Sequence, residues 1–213
     1  MSKIKWKRTF TWENSKYLVY FLLGMIGLFT LDIASKWIVE SLLVEGQKVE
    51  VIPNFFYFTK SYNTGMAFSF GASLPMAVGR SINIIISLVM SVGILAYWIL
   101  NDEGFNHFQR TIAMLLSAGA IGNLIDRAFY WEAITGFDGV IDFLQFYLGG
   151  GPSSPANMFN PFATFNLADS YLVIGILLFI GYLIYDAIKE SKQKNEFSSD
   201  PRLEKEEHHE GEN

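Results

Sequence analysis

Four long apolar stretches constrain this chain more than any other feature of its sequence. They cover approximately residues 17–38, 75–100, 108–129 and 165–185, and polar segments separate them. Each is long enough to cross a bilayer as a helix, which takes about 17–25 residues. Because the hydrophobic residues, 51% of the chain, gather in these stretches, the pattern predicts an all-α membrane protein with four transmembrane helices.

The first stretch has a second interpretation, because the basic residues Lys3, Lys5, Lys7 and Arg8 precede it. A basic segment before an apolar run is typical of a cleavable signal peptide. This run is longer than the apolar region of such a peptide, and no small-x-small cleavage site follows it. Both features favour a retained transmembrane helix.

The distribution of Lys and Arg predicts how the helices are oriented. Basic residues cluster in segments 3–16 and 189–194, whereas residues 130–164 contain none. Because cytoplasmic segments carry the excess of Lys and Arg, we expect both termini of this multi-pass protein on the cytoplasmic side of a bacterial inner membrane. Residues 39–74 and 130–164 then lie on the outer side.

The remaining composition bounds the domain and excludes several kinds of site. Cysteine is absent, which excludes disulfides, thiolate metal sites and cysteine nucleophiles. The three histidines form no His-Glu-x-x-His motif, and we expect neither a metal nor another cofactor. The charged segment 191–213 predicts a disordered cytoplasmic tail, which leaves residues 1–190 as the membrane domain.

The segment after the first helix predicts a small extracytoplasmic antiparallel β-sheet between helices 1 and 2. Residues 48–51 alternate between polar and apolar types, Pro53-Asn54 is a turn signal, and an aromatic run follows at 55–58. Aromatic side chains suit the interface between membrane and water. We therefore expect this sheet to lie at the membrane surface.

Acidic residues from distant parts of the chain converge on the outer face in this topology. Asp32 lies near the outer end of the first helix and Asp126 near the outer end of the third. Asp169 lies near the outer start of the fourth helix, and Asp142 lies in the segment before it. Ionisable residues at membrane depth are costly and indicate a functional site by default.

Some of these polar residues fit a structural role between helices. Asp32 and Lys36 are four residues apart and can pair on one helix face. Asp126 adjoins Arg127, which would keep its carboxylate ionised. Arg127 is in turn four residues from Asn123, so these two side chains share a face. For Asp32, Lys36 and Asp126 the structural interpretation is preferred.

Asp142 and Asp169 are harder to explain as structural residues. Asp142 lies in an apolar Val-Ile-Asp-Phe run, and Asp169 opens an apolar helix three residues after Asn166. Two carboxyl groups close together in a partly dry site share a proton, since both cannot easily ionise. The ionised group can take a proton from water while the protonated group donates one to a peptide. This pair predicts peptide hydrolysis without a metal.

Five short motifs occur in order along the membrane region. They are LDIASK (31–36), NTGMAFS (63–69), GAIGNLIDR (119–127), VIDF (140–143) and FNLADS (165–170). Together, at these topological positions, they resemble the motifs of the lipoprotein signal peptidases, the type II signal peptidases of bacteria. The intervals on either side of VIDF are longer than those expected for the family.

The resemblance assigns roles to individual residues. It implies that Asp142 and Asp169 are the catalytic pair. It implies that four residues support the site or hold the substrate: Asn63, Asn123, Arg127 and Asn166. It also matches Asp32 and Lys36 to a structurally important pair.

The resemblance further implies an intramembrane aspartic endopeptidase with its active site near the outer face. The implied substrate is a prolipoprotein that carries a diacylglyceryl group, and cleavage occurs just before the lipidated cysteine. Membrane lipid and globomycin-type cyclic peptide inhibitors are the other implied partners, and no nucleic acid is expected.

Three other functions agree with parts of the sequence. A proton or ion carrier also uses membrane carboxylates, although usually near the midplane. A serine–lysine peptidase would need Ser35-Lys36 or Lys60-Ser61, but adjacency does not aim a base at a nucleophile. A structural membrane subunit explains the helices but not the clustered acids.

Overall fold

The structure is a computed structural model that describes residues 12–64, 76–101, 105–130, 135, 139–157 and 159–198. Within these residues the helices are α1 (Trp12–Leu42), α2 (Met76–Asn101), α3 (His107–Phe129) and α4 (Leu167–Ser198). The strands are β1 (Lys48–Ile52), β2 (Phe56–Asn63) and β3 (Val140–Phe146). Helices therefore dominate the described chain, and a small sheet accompanies them.

Four helices in the described part of the chain are long and apolar enough to cross a membrane, which confirms the predicted number. The candidate spans are Lys16–Leu42, Ser81–Leu100, His107–Phe129 and Leu167–Gln193. Their large apolar side chains face outward: Leu23, Ile85 and Leu177 are 61%, 59% and 63% exposed. Outward apolar side chains suit a lipid environment, in which helices satisfy their own backbone hydrogen bonds.

The chain divides into two compact units, Met1–Gly175 and Ile176–Asn213. The first contains α1 to α3, the sheet and the start of α4. The described part of the second is the remainder of α4, which continues to Ser198, beyond the predicted span. Residues 199–213 of the predicted tail lie outside the described residues, so the division at residue 190 stays a prediction.

The three strands form one antiparallel sheet in the order β1-β2-β3. The predicted hairpin corresponds to β1 and β2, whereas β3, which comes from the segment between α3 and α4, was not predicted. Most of β3 is buried on both faces. A strand covered on both faces reads as a continuous apolar run rather than as an alternating pattern, so the periodicity did not reveal it.

A small apolar core joins the sheet to the ends of two helices. Val39 near the end of α1 and Tyr130 after α3 pack with Ile141 and Phe143 of β3. Because side chains on adjacent positions of β3 point to opposite faces, Asp142 points away from this core. The core therefore holds β3 against the helices and leaves Asp142 directed toward other polar groups.

Glycines on α3 allow the helices to approach one another beside these polar groups. A Cβ atom at Gly119 would lie 2.5 Å from the backbone oxygen of Ala168. At Gly122 it would lie 2.8 Å from Asp32 Oδ2. Any larger residue would push α3 away from α1 and from the start of α4, which agrees with the close packing expected of small residues in membrane helices.

Candidate active site

Asp142 is held by amide groups from two sides. Its side chain is buried on β3, with Ser61 of β2 as its partner in the sheet. Asn63 lies two residues further along β2, and its Nδ2 donates to Asp142 Oδ2 at 2.9 Å. Asn166 Nδ2 donates to Asp142 Oδ1 at 2.7 Å. The strand register and the segment before α4 thus each supply one donor to the same carboxyl group.

Asp169 is placed by the cap of α4. Asn166 precedes the helix, and its Oδ1 accepts from the backbone N–H of Asp169 at 2.9 Å. In return, Asp169 Oδ2 accepts from the backbone N–H of Asn166 at 3.3 Å. This reciprocal arrangement is a capping box, which satisfies helix N–H groups that lack intrahelical partners. The half-buried Asp169 carboxylate is therefore fixed in the first turn.

Asn123 and Asn166 connect the two carboxyl groups into one network. Asn123 Nδ2 donates to Asp169 Oδ1 at 2.7 Å, while its Oδ1 lies 3.4 Å from Asn166 Nδ2. The Asn166 side-chain amide also contacts Asp142. The structure brings together the two predicted catalytic acids and three of their predicted supporting residues, which come from β2, α3, β3 and the start of α4.

The environment of Asp142 favours its protonated form. Burial raises the pKa of this carboxyl group, and the nearby charge of Asp169 raises it further. Hydrogen bonds from Asn63 and Asn166, and the positive charge of Lys36, act in the opposite direction and more weakly. The resulting pKa of Asp142 is about 7. Near neutral pH, Asp142 can therefore exist either as a proton donor or as a carboxylate.

Arg127 lies one turn beyond Asn123 on α3. Its Nη1 donates to Ser87 Oγ of α2 at 2.6 Å. The guanidinium is close enough to Asp169 and Asp142 for a Coulombic interaction with both. Arg127 thus places a positive charge beside the acids and links α3 to α2.

Ser87 is a site residue that the sequence analysis missed. The signal was present, because Asn83, Ser87 and Ser91 interrupt the apolar α2 at intervals of four residues. Residues four apart on a helix share a face, and these three are all buried. Their spacing would have identified the face of α2 that packs inward.

A second polar cluster, formed by Asp32, Lys36 and Asp126, lies beside the first and is buried from solvent. Lys36 Nζ lies 2.6 Å from Asp32 Oδ2 and 2.5 Å from Asp126 Oδ2, and all three side chains are fully buried. Asp32 Oδ1 accepts from the backbone N–H of Ala168 at 2.9 Å. The cluster therefore joins α1, α3 and the first turn of α4, next to Asp169.

This geometry confirms the expected contact between Asp32 and Lys36 and corrects the partner of Asp126. Arg127 follows Asp126 in the sequence and was the expected partner, whereas the structure brings Lys36 of α1 against the Asp126 carboxylate. Adjacent residues on a helix point in different directions, so the neighbour in sequence is not the main partner. Two carboxylates thus share one ammonium group in the interior.

Metal ligands are not grouped in the described part of the chain. Among the described residues, no three His, Cys, Asp or Glu side chains lie together in a way that could hold a metal ion. Of the NTGMAFS motif, only Asn63 and Thr64 are described, and residues 65–69 lie outside the described residues. The chemistry that the described geometry offers is that of two adjacent carboxyl groups held by amides.

The fold and this site define a class of protein, a multi-pass membrane protein with paired acids where its apolar helices meet a small sheet. The family described as signal peptidase (SPase) II matches residues 24–185. This match covers more than half of the chain. The chain therefore belongs to the signal peptidase II family, and that membership implies a peptidase and supports the removal of lipoprotein signal peptides.

Individual relatives agree with this assignment. The chain is 33% identical over 169 residues to the lipoprotein signal peptidase of Listeria monocytogenes, a match that covers 79% of this chain and 95% of the relative. It is 32% identical over 182 residues to that of Staphylococcus epidermidis, covering 85% and 99%. It is 34% identical over 177 residues to that of Neisseria meningitidis, covering 81% and 93%.

Two solved structures share the fold. One is a bacterial membrane enzyme determined by the in meso method at 2.3 Å resolution, with a TM-score of 0.60 and 30% identity, covering 79% of this chain and 89% of that one. The other, at 1.9 Å, has a TM-score of 0.62 and 29% identity, covering 78% and 94%. The similarity therefore extends through most of the membrane region.

Proposed function

We propose that this chain is an aspartic endopeptidase in which Asp142 and Asp169 activate water to hydrolyse a peptide bond. The observation that carries the proposal is the position of Asn166, which contacts Asp142 through its side chain and Asp169 through its backbone. Two carboxyl groups so close to a common residue favour a shared proton. The pKa of Asp142, about 7, supports this assignment.

The proposed reaction uses the two acids in different roles. Asp169, half-buried and accepting two hydrogen bonds, removes a proton from water as the oxygen attacks the peptide carbonyl carbon. Protonated Asp142 donates to the carbonyl oxygen, which gives a tetrahedral diol. The diol collapses when the C–N bond breaks: protonated Asp169 gives its proton to the leaving nitrogen, and Asp142 takes a proton back from a diol hydroxyl, so both carboxyl groups return to their starting states. Arg127 stabilises the negative charge that develops in the site.

The proposed substrate is a prolipoprotein that carries a diacylglyceryl group on the cysteine that follows the cleaved bond. Membership of the signal peptidase II family and the names of the relatives support this substrate class. Lipid on the substrate would keep the cleaved bond near the bilayer, and the acids lie where α3 ends and α4 begins. Globomycin-type cyclic peptides are proposed to occupy the same site as the substrate.

The decisive test compares lipidated and unlipidated substrates. Purified protein in detergent is incubated with a diacylglyceryl prolipoprotein, and mass spectrometry follows the loss of the signal peptide. We expect cleavage directly before the lipidated cysteine, no cleavage of the unlipidated precursor, and no cleavage by Asp142→Asn. Equal cleavage by Asp142→Asn would refute the aspartic mechanism, and cleavage at another bond would refute the proposed position.

The proposed topology has both termini in the cytoplasm and the acids near the outer face of the membrane. The absence of Lys and Arg from residues 130–164 supports this orientation. Topology reporters fused after Ser198 and within the loop at Gly150 should give opposite signals. Matching signals from the two fusions would contradict this arrangement.

A further inference from the structure

A third polar cluster lies between the end of α1 and β2, outside the proposed catalytic network. Lys60 Nζ donates to Glu40 Oε1 at 3.1 Å, and Tyr62 OH contacts both carboxylate oxygens of Glu40, at 2.9 and 2.8 Å. The Lys60 and Glu40 side chains are 9% and 18% exposed. We refer to Glu40, Lys60 and Tyr62 as the α1–β2 clamp.

The clamp also binds the backbone of α1. Lys60 Nζ donates to the backbone oxygen of Glu40 at 3.2 Å. The last carbonyl groups of a helix lack intrahelical donors, and a lysine there satisfies one of them and complements the helix dipole. β2 is therefore attached to α1 through both the backbone and the side chain of one residue.

The β2 residues of the clamp come directly before Asn63, whose side chain holds Asp142. Lys60 and Tyr62 are on one face of β2, and side chains alternate between faces along a strand. Asn63, the next residue, therefore faces the other way, where it donates to Asp142. Any movement of Tyr62 along or away from α1 would move Asn63 with it.

The sheet is irregular just before Tyr62, so the clamp can help to position the end of β2. The pairing of β2 with β3 shifts in register between Phe58 and Ser61. An irregularity of this kind locally disrupts the ladder of backbone hydrogen bonds and re-aims the side chains beside it. Contacts outside the ladder must then help to define where Ser61, Tyr62 and Asn63 lie relative to Asp142.

We propose that Glu40 is a positioning residue that, through Lys60 and Tyr62, fixes the end of β2 so that the Asn63 amide reaches Asp142. This inference rests on the proposed function of Asp142 and deepens it. Glu40 acts through β2 rather than on the reacting atoms. It therefore influences how easily Asp142 gives up its proton, not whether substrate binds.

The direction of the effect follows from the charges around Asp142. The groups that face this carboxyl group from the neighbouring elements are Asp169, Lys36, Arg127 and the amides of Asn63 and Asn166. The Asn63 hydrogen bond favours the ionised form and lowers the pKa. If the clamp is loosened while the other groups remain, the pKa of Asp142 rises and its proton is lost at higher pH.

The test is the pH–rate profile of Tyr62→Phe, which removes only the hydroxyl group. We expect kcat to fall about fivefold, as for the loss of one hydrogen bond, with KM unchanged and the alkaline limb displaced to higher pH. Tyr20→Phe, on an exposed part of α1, is the matched control and should match the wild type. A merely structural contact would lower the yield of folded protein without moving the limb.

A double-mutant cycle with Asn63→Ala separates positioning from independent effects. The clamp acts through Asn63, so Tyr62→Phe should add no further loss in the Asn63→Ala background. Should Tyr62→Phe fold poorly, Glu40→Gln, which retains one acceptor oxygen, is expected to move the limb in the same direction. Two results would overturn the inference. One is an alkaline limb that stays at the wild-type pH in a variant that folds, and the other is a loss of kcat in the double mutant equal to the sum of the two single losses.

The outcomes for the clamp and for the proposed function are distinguishable. If the wild type cleaves, Asp142→Asn does not, and Tyr62→Phe behaves as the wild type, only the positioning role is refuted. If Asp142→Asn cleaves as well as the wild type, the aspartic mechanism fails and the positioning role fails with it.

Discussion

Two neighbouring pairs of carboxyl groups in this protein are stabilised in different ways. In one pair, Asp32 and Asp126 lie on either side of the Lys36 ammonium group, and all three side chains are fully buried. In the other pair, neutral amides bridge Asp142 and Asp169, and Asp169 is only half-buried. The pairs share α3 and the start of α4 as supports, so their difference arises from the local partners.

Under the proposed mechanism, the same residue type is structural in one pair and reactive in the other. A lysine between two carboxylates offsets one of their two negative charges, and its removal would leave costly buried charges. Amide donors orient carboxyl groups without adding a full charge, so a shared proton remains available for transfer. We therefore expect the first pair to affect stability and the second to affect turnover.

The largest effect is expected from replacing the acids of the amide-bridged pair. Asp142→Asn and Asp169→Asn should each lower single-turnover cleavage by at least about 10³-fold, because neither amide can exchange a proton as a carboxyl group does. Thermal unfolding should stay close to that of the wild type. Asp186→Asn, a substitution of the same kind further along α4, serves as the control, and near-normal cleavage by Asp142→Asn would make the assignment wrong.

Removal of the shared cation should have the next largest effect, and on stability. Lys36→Met leaves Asp32 and Asp126 buried without their common partner, and breaking such a pair costs about 3–5 kcal/mol. Thermal unfolding in detergent and the yield of folded protein measure the loss. The exposed Lys189→Met is the control, and an unchanged unfolding temperature for Lys36→Met would show that the cluster is not structural.

The pH dependence of cleavage should report the amide-bridged pair. The pKa of Asp142 is raised to about 7, and the proposed reaction needs its protonated form. Activity should therefore fall roughly tenfold per pH unit above that value, and fall again at low pH when the partner acid is protonated. Initial rates across the pH range, with and without EDTA, provide the measurement.

Two results would contradict this expectation. A rate that stays constant from about pH 6 to about pH 9 would show that Asp142 does not act as the acid. A strict requirement for a metal would contradict the mechanism with two carboxyl groups. An Asp126→Asn variant should retain the same alkaline limb, since Asp126 belongs to the other pair.

The smallest effect is expected from Asp126→Asn itself. The asparagine oxygen can still accept from Lys36, and Asp32 still compensates the ammonium charge. We expect a loss of about 1 kcal/mol in stability and turnover per folded molecule within about twofold of the wild type. Thermal unfolding and active-site-normalised rates would test this, and a hundredfold loss of turnover would place Asp126 in the reactive pair.

Several parts of this protein could be predicted from the sequence because they depend on local patterns. The four apolar stretches are long enough to identify the spans by length and composition. The sequence also placed Asp169 at the start of the fourth helix, three residues after Asn166, although the capping box that these two residues form was seen only in the structure. Likewise, the contact between Asp32 and Lys36 follows from their helical spacing.

Only the tertiary structure decided the contacts that cross between distant segments. Asp126 pairs with Lys36 rather than with Arg127. Arg127 donates a hydrogen bond to Ser87 of α2, and β3 pairs with β2 in the sheet. Each depends on how far one element is rotated and shifted against another, and neither hydrophobic periodicity nor residue spacing encodes that rotation. The sequence therefore determined which acids are present and which of them lie on helices, whereas packing determined which of them share a lysine and which share amides.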